Sequence, residues 1–153
     1  MRAFRLALLA GIAIIATTFV PQRTEAVASL EEERCLALNI YFEARGASQV
    51  DKEAVGHVTL NRAESRHFPS TICGVVYQRG QFGWVTDRNS NVPRSPQAWE
   101  QSQSLAREIL SGEVADPSKG ATYFYDHNRT NPSWARRFEV TLKTRGHTYL
   151  RRV

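Results

Sequence analysis

The stretch Cys35-Leu36-Ala37-Leu38-Asn39-Ile40-Tyr41-Phe42-Glu43-Ala44-Arg45-Gly46 carries most of what this sequence says about its fold. It is nearly all apolar up to Phe42, then presents one carboxylate and ends on a glycine suited to stopping a helix. Leu36, Ile40 and Glu43 follow the i, i+4, i+7 spacing of one helix face, which predicts an apolar stripe with Glu43 at its C-terminal end. A carboxyl group held against apolar walls is harder to ionise, so its pKa rises and it is able to act as a general acid near neutral pH. Spacing alone leaves a second reading open, that of a solvated helix-end residue paired with Arg45.

Upstream, Glu31, Glu32 and Glu33 precede the apolar run, and acids there complement a helix dipole. Further back, Arg2 and Arg5 are followed by an apolar segment from Leu6 to Val20 and by Ala26-Val27-Ala28. This is the pattern of a secretory signal peptide over residues 1–28, with the mature chain starting at Ser29. The alternative is an uncleaved N-terminal anchor, for which the segment is short. Export places the protein in the periplasm or cell envelope. Without residues 1–28 the net charge falls from +5 to +3, a mild basic bias suited to an anionic polymer or envelope surface. No clustered basic stripe points to nucleic acid. In an exported chain the two cysteines, Cys35 and Cys73, are expected to form a disulfide.

Downstream, Ser48 is placed to cap a second helix, with Asp51 answering it three residues on. Val50, Ala54, Val58 and Asn61 share a face of that helix. Asn61 is the polar member of the stripe, needs a hydrogen-bond partner and is a candidate substrate-binding residue. Ile72 to Tyr77 reads as a short apolar helix. Residues 79–96 read as a loop that embeds Phe82 and Trp84 among polar residues. Long loops in compact domains are often functional, and aromatic rings suit the apolar face of a sugar. The other reading is that both rings plug the loop onto the core. Ser95-Pro96 opens a third long helix, with Trp99, Ala106, Ile109 and Leu110 on its inner face and Gly112 at its end. Residues 116–120 form a turn. Ala121 to Tyr125, Phe138 to Leu142 and His147 to Leu150 read as a small antiparallel sheet. The fold class is α+β, mainly α, with one catalytic domain over residues 29–153.

The chemistry narrows by exclusion. No histidine or cysteine spacing matches a metal motif, no nucleophile elbow occurs and no glycine-rich phosphate loop is present, so no metal and no cofactor is expected. Acid–base chemistry remains. Glycoside hydrolysis normally uses two carboxylates. Asp51, Glu53 and Glu64 fall on a polar helix face, which leaves Asp87 and Asp126 as candidates for the second. One acid suffices where a hydroxyl of the substrate itself attacks. In peptidoglycan the muramic acid 6-hydroxyl attacks its own anomeric carbon and forms a 1,6-anhydro sugar, with one glutamic acid serving first as acid and then as base.

Several segments occur together and in order: Cys35–Gly46, Ala54–Arg62, Phe68–Tyr77, Gln81-Phe82-Gly83-Trp84, Gly120–Tyr125, Pro132-Ser133-Trp134 and Gly146-His147. This ordered set resembles the spore cortex-lytic enzyme type of cell wall hydrolase over essentially all of residues 32–151. The resemblance implies a lysozyme-like helical domain with a small sheet, peptidoglycan glycan strands as the substrate and Glu43 as the catalytic acid of a lytic transglycosylase. Gln81, Phe82, Trp84 and Tyr125 are expected to line the glycan groove. Ala47 stands where the family often has Glu, and Gly83 where it often has Ser, so contacts made by those side chains do not carry over. The competing readings are a true lysozyme using Asp87 or Asp126 to activate water, a non-catalytic peptidoglycan-binding protein on the same scaffold, and an amidase, which the lack of a metal motif disfavours.

Overall fold

The computed structural model describes residues 22–87 and 91–153, with side chains from residue 29 onward. The expected signal segment, residues 1–28, thus lies largely outside the described residues. Helix α1 spans Gln22–Ala44, α2 Gln49–Glu64, α3 Ile72–Val76, α4 Gly83–Thr86 and α5 Pro96–Ser111. Strands β1 (Tyr123–Asp126), β2 (Glu139–Lys143) and β3 (His147–Arg151) follow, with a 3₁₀ turn over Ser133–Arg137 between the first two. The strands form one antiparallel sheet in the order β1-β3-β2. This is the mainly helical α+β architecture that the sequence predicts.

Helix α1 is the central element. Leu36, Ile40 and Tyr41 are fully buried, and one core cluster joins Cys35, Leu36 and Ile40 to Ile72 and Val76 of α3 and to Leu105, Ala106 and Ile109 of α5. A second cluster joins Ala44 to Ala54, Val55 and Val58 of α2, to Ala121 before β1 and to Tyr149 of β3. The C-terminal end of α1 therefore lies where the helical lobe meets the sheet. Gly56 permits the closest packing: a Cβ there would run into Ile109 and Ile40 side chains. Buried Asn39 ties α1 to α2 by donating to Thr59 Oγ1 at 2.8 Å.

The caps follow local chemistry. Ser48 Oγ accepts from the Asp51 amide, Thr71 Oγ1 accepts from Gly74, and Ser95 precedes a proline at the start of α5. Gly112 ends α5 with φ at +80°, a conformation that costs a side-chain-bearing residue energy. The Glu32 carboxylate of α1 accepts from the free amides of Ile72 and Cys73, so α1 also caps α3.

These details differ from the sequence reading. Helix α1 begins at Gln22, so Glu31, Glu32 and Glu33 lie inside it rather than in its first turn. The 79–96 segment contains the short helix α4 rather than being loop throughout. Val50 is exposed, because it lies in the first turn of α2, where little of α1 remains to cover it. Leu110 is exposed because its neighbour Ile109 takes the inward position. Asp51 is 2% exposed rather than on a solvated face: three donors from the β2–β3 hairpin, Thr144, His147 and Tyr149, converge on its carboxylate.

Cys35 and Cys73 are joined, linking α1 to α3 across 38 residues. In the chain-entropy account, closing such a loop stabilises the fold by roughly 3–4 kcal/mol. The double variant Cys35→Ala/Cys73→Ala should lose stability of that order in denaturant unfolding. Equal stability of variant and oxidised wild type would contradict a constraining role for the bridge.

Candidate active site

A cleft of about 710 Å³ opens between the C-terminal end of α1, the 81–84 segment and the sheet. Phe42, Glu43 and Ala47 line one side, Gln81, Phe82, Gly83 and Trp84 another, and Phe124, Tyr125, Asp126 and His147 the third. The structure thus brings Glu43 together with Gln81, Phe82, Trp84 and Tyr125, all singled out from sequence. Both departures from the family pattern, Ala47 and Gly83, also lie on this cleft, and Ala47 brings no carboxylate to it.

Glu43 follows two turns of buried aliphatic side chains and is half-buried itself. Burial pushes its carboxyl above the ordinary glutamic acid value, and His147 when protonated, together with the Arg62 guanidinium, only partly offsets this. Arg45 is not its partner. The Arg45 guanidinium donates to Tyr41 Oη at 2.9 Å, and that oxygen also accepts from the Arg94 and Ser95 amides at 3.0 Å each. The phenol of buried Tyr41 therefore fastens the segment before α5 to the C-terminal end of α1.

The aromatic residues have mixed roles. Phe82 is 4% exposed and stands 5.6 Å from the Arg62 guanidinium, so most of its ring is core even though it borders the cleft. Trp84 stacks on Phe42 at 4.6 Å and packs against the Cys35–Leu36 cluster. These two rings anchor the segment and also wall the cleft. Tyr125 stands edge-on to Trp134, with centroids 5.9 Å apart.

Asn61 is not brought to this cleft. Its amide donates at 3.0 Å to both Asp116 Oδ2 and the Ala121 carbonyl, holding the 116–121 turn against α2. It borders a separate, smaller hollow with Phe68 and Tyr123. The partner that its inward position demanded is thus the turn. Of the two aspartates, Asp126 lines the cleft and exposed Asp87 does not. One Asp126 oxygen accepts from the Asn128 amide, and the other is 4.0 Å from Arg129 Nε. Among the described residues no group of three or more metal-ligating side chains occurs.

Three cleft residues escaped the sequence reading. Arg62 is 5% exposed, donates from Nε to the Thr122 carbonyl at 2.7 Å and lies against Phe68 and Phe82. Burial pulls its guanidinium down to about 10 against the opposing influence of Tyr123 and Glu43. Phe124 pairs with Tyr149 behind the cleft. His147 Nδ1 lies 3.1 Å from Asp51 Oδ1, a contact across 96 residues that no local spacing announces.

Comparison with known proteins agrees with this architecture. The sequence pattern of the cell wall hydrolase family matches residues 46–150. The chain is 33% identical over 99 residues to a spore cortex-lytic enzyme of Halalkalibacterium halodurans, covering 65% of this chain and 28% of that protein. It is 31% identical over 108 residues to one of Oceanobacillus iheyensis, covering 69% of this chain and 36% of the relative. The chain thus matches about a third of the length of these relatives. The catalytic domain of the germination-specific lytic transglycosylase SleB from Bacillus anthracis superposes with a TM-score of 0.67 at 22% identity, over 88% of this chain and 99% of that domain. The catalytic domain of Bacillus cereus SleB superposes with a TM-score of 0.62 at 23% identity, over 79% of this chain and 91% of that one. At these identities the likeness is one of fold. The family match begins at Gly46, so it does not reach Glu43.

The raised Glu43 carboxyl has a consequence for stability. The folded protein holds this proton to higher pH than the unfolded chain does, so the wild type loses stability as pH rises from the ordinary carboxyl value through the raised one. Glu43→Gln removes that loss. The variant should gain on the wild type as pH rises through this window, with the gap constant above it. Unfolding free energies measured across pH test this, and a gap independent of pH would contradict it.

Proposed function

The chain belongs to the cell wall hydrolase family, and we propose that it cleaves peptidoglycan glycan strands at the MurNAc–GlcNAc bond as a lytic transglycosylase. The observation that carries this reading is Glu43, a desolvated carboxyl in a cleft walled by aromatic rings. An acid that holds its proton to higher pH than an ordinary glutamic acid can give it to the glycosidic oxygen as the C1–O bond breaks. Trp84 and Tyr125 offer ring faces and edges to the sugars, and Gln81 offers an amide. The attacking group is the muramic acid 6-hydroxyl, so no second carboxylate is required and the product is a 1,6-anhydro sugar. The names of the relatives, spore cortex-lytic enzymes and a lytic transglycosylase, support a cell wall substrate.

Such a substrate requires export, and residues 1–28 carry the signal pattern for it. Among the described residues no helix is long and apolar enough to cross a membrane. N-terminal sequencing of protein recovered from the envelope should begin near Ser29. Protein retained in the cytosol with Met1 intact would contradict export.

One observation favours a second reading. Asp126 shares the cleft with Glu43, so a lysozyme that activates water with Asp126 is the competing mechanism. Mass spectrometry of digested peptidoglycan separates the two. The transglycosylase reading predicts 1,6-anhydro products, a fall of about 10²-fold or more in rate for Glu43→Gln, and substantial activity for Asp126→Asn and Asp87→Asn. Reducing-end products, together with loss of turnover in Asp126→Asn, would establish the water-using mechanism instead.

A further inference from the structure

Cleavage by an internal hydroxyl moves two protons: the leaving oxygen gains one and the attacking hydroxyl loses one. The simplest scheme gives both duties to Glu43, yet the cleft holds a second group equipped for the second transfer. We propose that His147 is a further catalytic residue of this cleft, taking the proton of the attacking hydroxyl at Nε2, and that Asp51 is the residue that positions it. The proposal rests on the glycosidase reading above and adds a residue to it.

The geometry fixes the tautomer. A carboxylate is only an acceptor, so the 3.1 Å contact between His147 Nδ1 and Asp51 Oδ1 requires the hydrogen on Nδ1. The neutral ring then carries its lone pair on Nε2. No hydrogen bond to Nε2 occurs among the described residues, and His147 lines the same cleft as Glu43. Asp51 is itself immobilised. Ser48 Oγ donates to one of its oxygens at 2.7 Å, and Thr144 Oγ1 and Tyr149 Oη donate to the other at 2.6 and 3.0 Å. Burial works against its ionised form, but the hydrogen bonds from Thr144, Ser48, Tyr149 and His147 outweigh it and hold the carboxyl below the usual range. The His147 ring also packs edge-on against Phe124, with centroids 5.8 Å apart. A structural ion pair needs no opening onto a substrate cleft, whereas a base does.

The surrounding charges are compatible with this role. Glu43 comes from α1, Asp51 and Arg62 from α2, Asp126 from β1 and Arg129 from the turn after it, with Tyr149 on the same strand as His147. Asp51 makes the direct contact and holds the ring through Nδ1. The step balances without further reagents. The hydroxyl O–H bond breaks and its proton passes to Nε2, while the oxygen bonds to C1. The C1–O bond to the leaving sugar breaks, and that oxygen takes the Glu43 proton. Imidazolium and carboxylate are left in one cleft, and transfer of the proton from Nε2 to Glu43 restores both.

Two variants test the assignment in the full-length mature chain acting on purified peptidoglycan. His147→Asn keeps an N–H where Nδ1–H meets Asp51 and removes Nε2, and His147→Ala leaves room for a diffusible base. The proposal predicts that both lose about 10²-fold or more in turnover and that His147→Asn melts close to the wild type. It also predicts that added imidazole restores part of the turnover of His147→Ala and none of that of Glu43→Gln. Near-wild-type turnover in His147→Asn would overturn the proposal, because the bond to Asp51 would then be the whole role of His147. An imidazole-insensitive His147→Ala that folds would overturn it as well, and if that variant does not fold, His147→Asn decides. An active His147→Asn beside an inactive Glu43→Gln would refute the histidine assignment and leave the glycosidase reading standing. An active Glu43→Gln would remove the glycosidase reading and this proposal with it.

Discussion

The structure turns on where α1 ends. Two turns of buried, mostly apolar side chains, Cys35 to Tyr41, bring Glu43 to the junction between the helical lobe and the sheet. Water is partly displaced from its carboxyl there, and the ionised form suffers for it. Every neighbouring element serves this placement. The disulfide and the Glu32 cap fix α3 to α1, Tyr41 Oη ties down the chain before α5, and Asn39 holds α2 alongside. The proposed general acid needs both an unfavourable environment for its anion and a fixed position, and one helix supplies both.

The charges that oppose this effect are limited. His147 when protonated, and Arg62, favour the Glu43 carboxylate, but burial remains the larger effect. Arg62 is itself desolvated and committed to the Thr122 carbonyl and two aromatic rings. His147 is committed to Asp51. A bidentate arginine pair in the same place would drive Glu43 towards permanent ionisation. The arrangement therefore leaves the carboxyl able to hold its proton and still able to exist as an anion after giving it up.

Much of this was legible in the sequence because it is local. The stripe Leu36–Ile40–Glu43, the Ser48 cap, Pro96 at the start of α5 and Gly112 at its end each rest on spacings within a few residues, and all appear as read. The grouping of Glu43 with Gln81, Phe82, Trp84 and Tyr125 came from an ordered set of motifs rather than from physics at any one of them. What stayed hidden is non-local. Asp51 looked like a solvated capping residue because its three further partners lie more than ninety positions away in the β2–β3 hairpin. Asn61 was correctly read as an inward polar residue in need of a partner, but that partner is a distant turn rather than a ligand cleft. Phe82 and Trp84 pack on the core, as the second reading for them has it, and they also border the cleft, since a ring that walls a cleft has a back free to pack.

The central claim is that Glu43 keeps its proton beyond the range of an ordinary glutamic acid because the fold desolvates it. Titration of the mature wild-type protein, followed through the Glu43 carboxyl carbon by NMR, reads this directly. The account predicts a midpoint above the ordinary glutamic acid value. A midpoint at or below that value would contradict it.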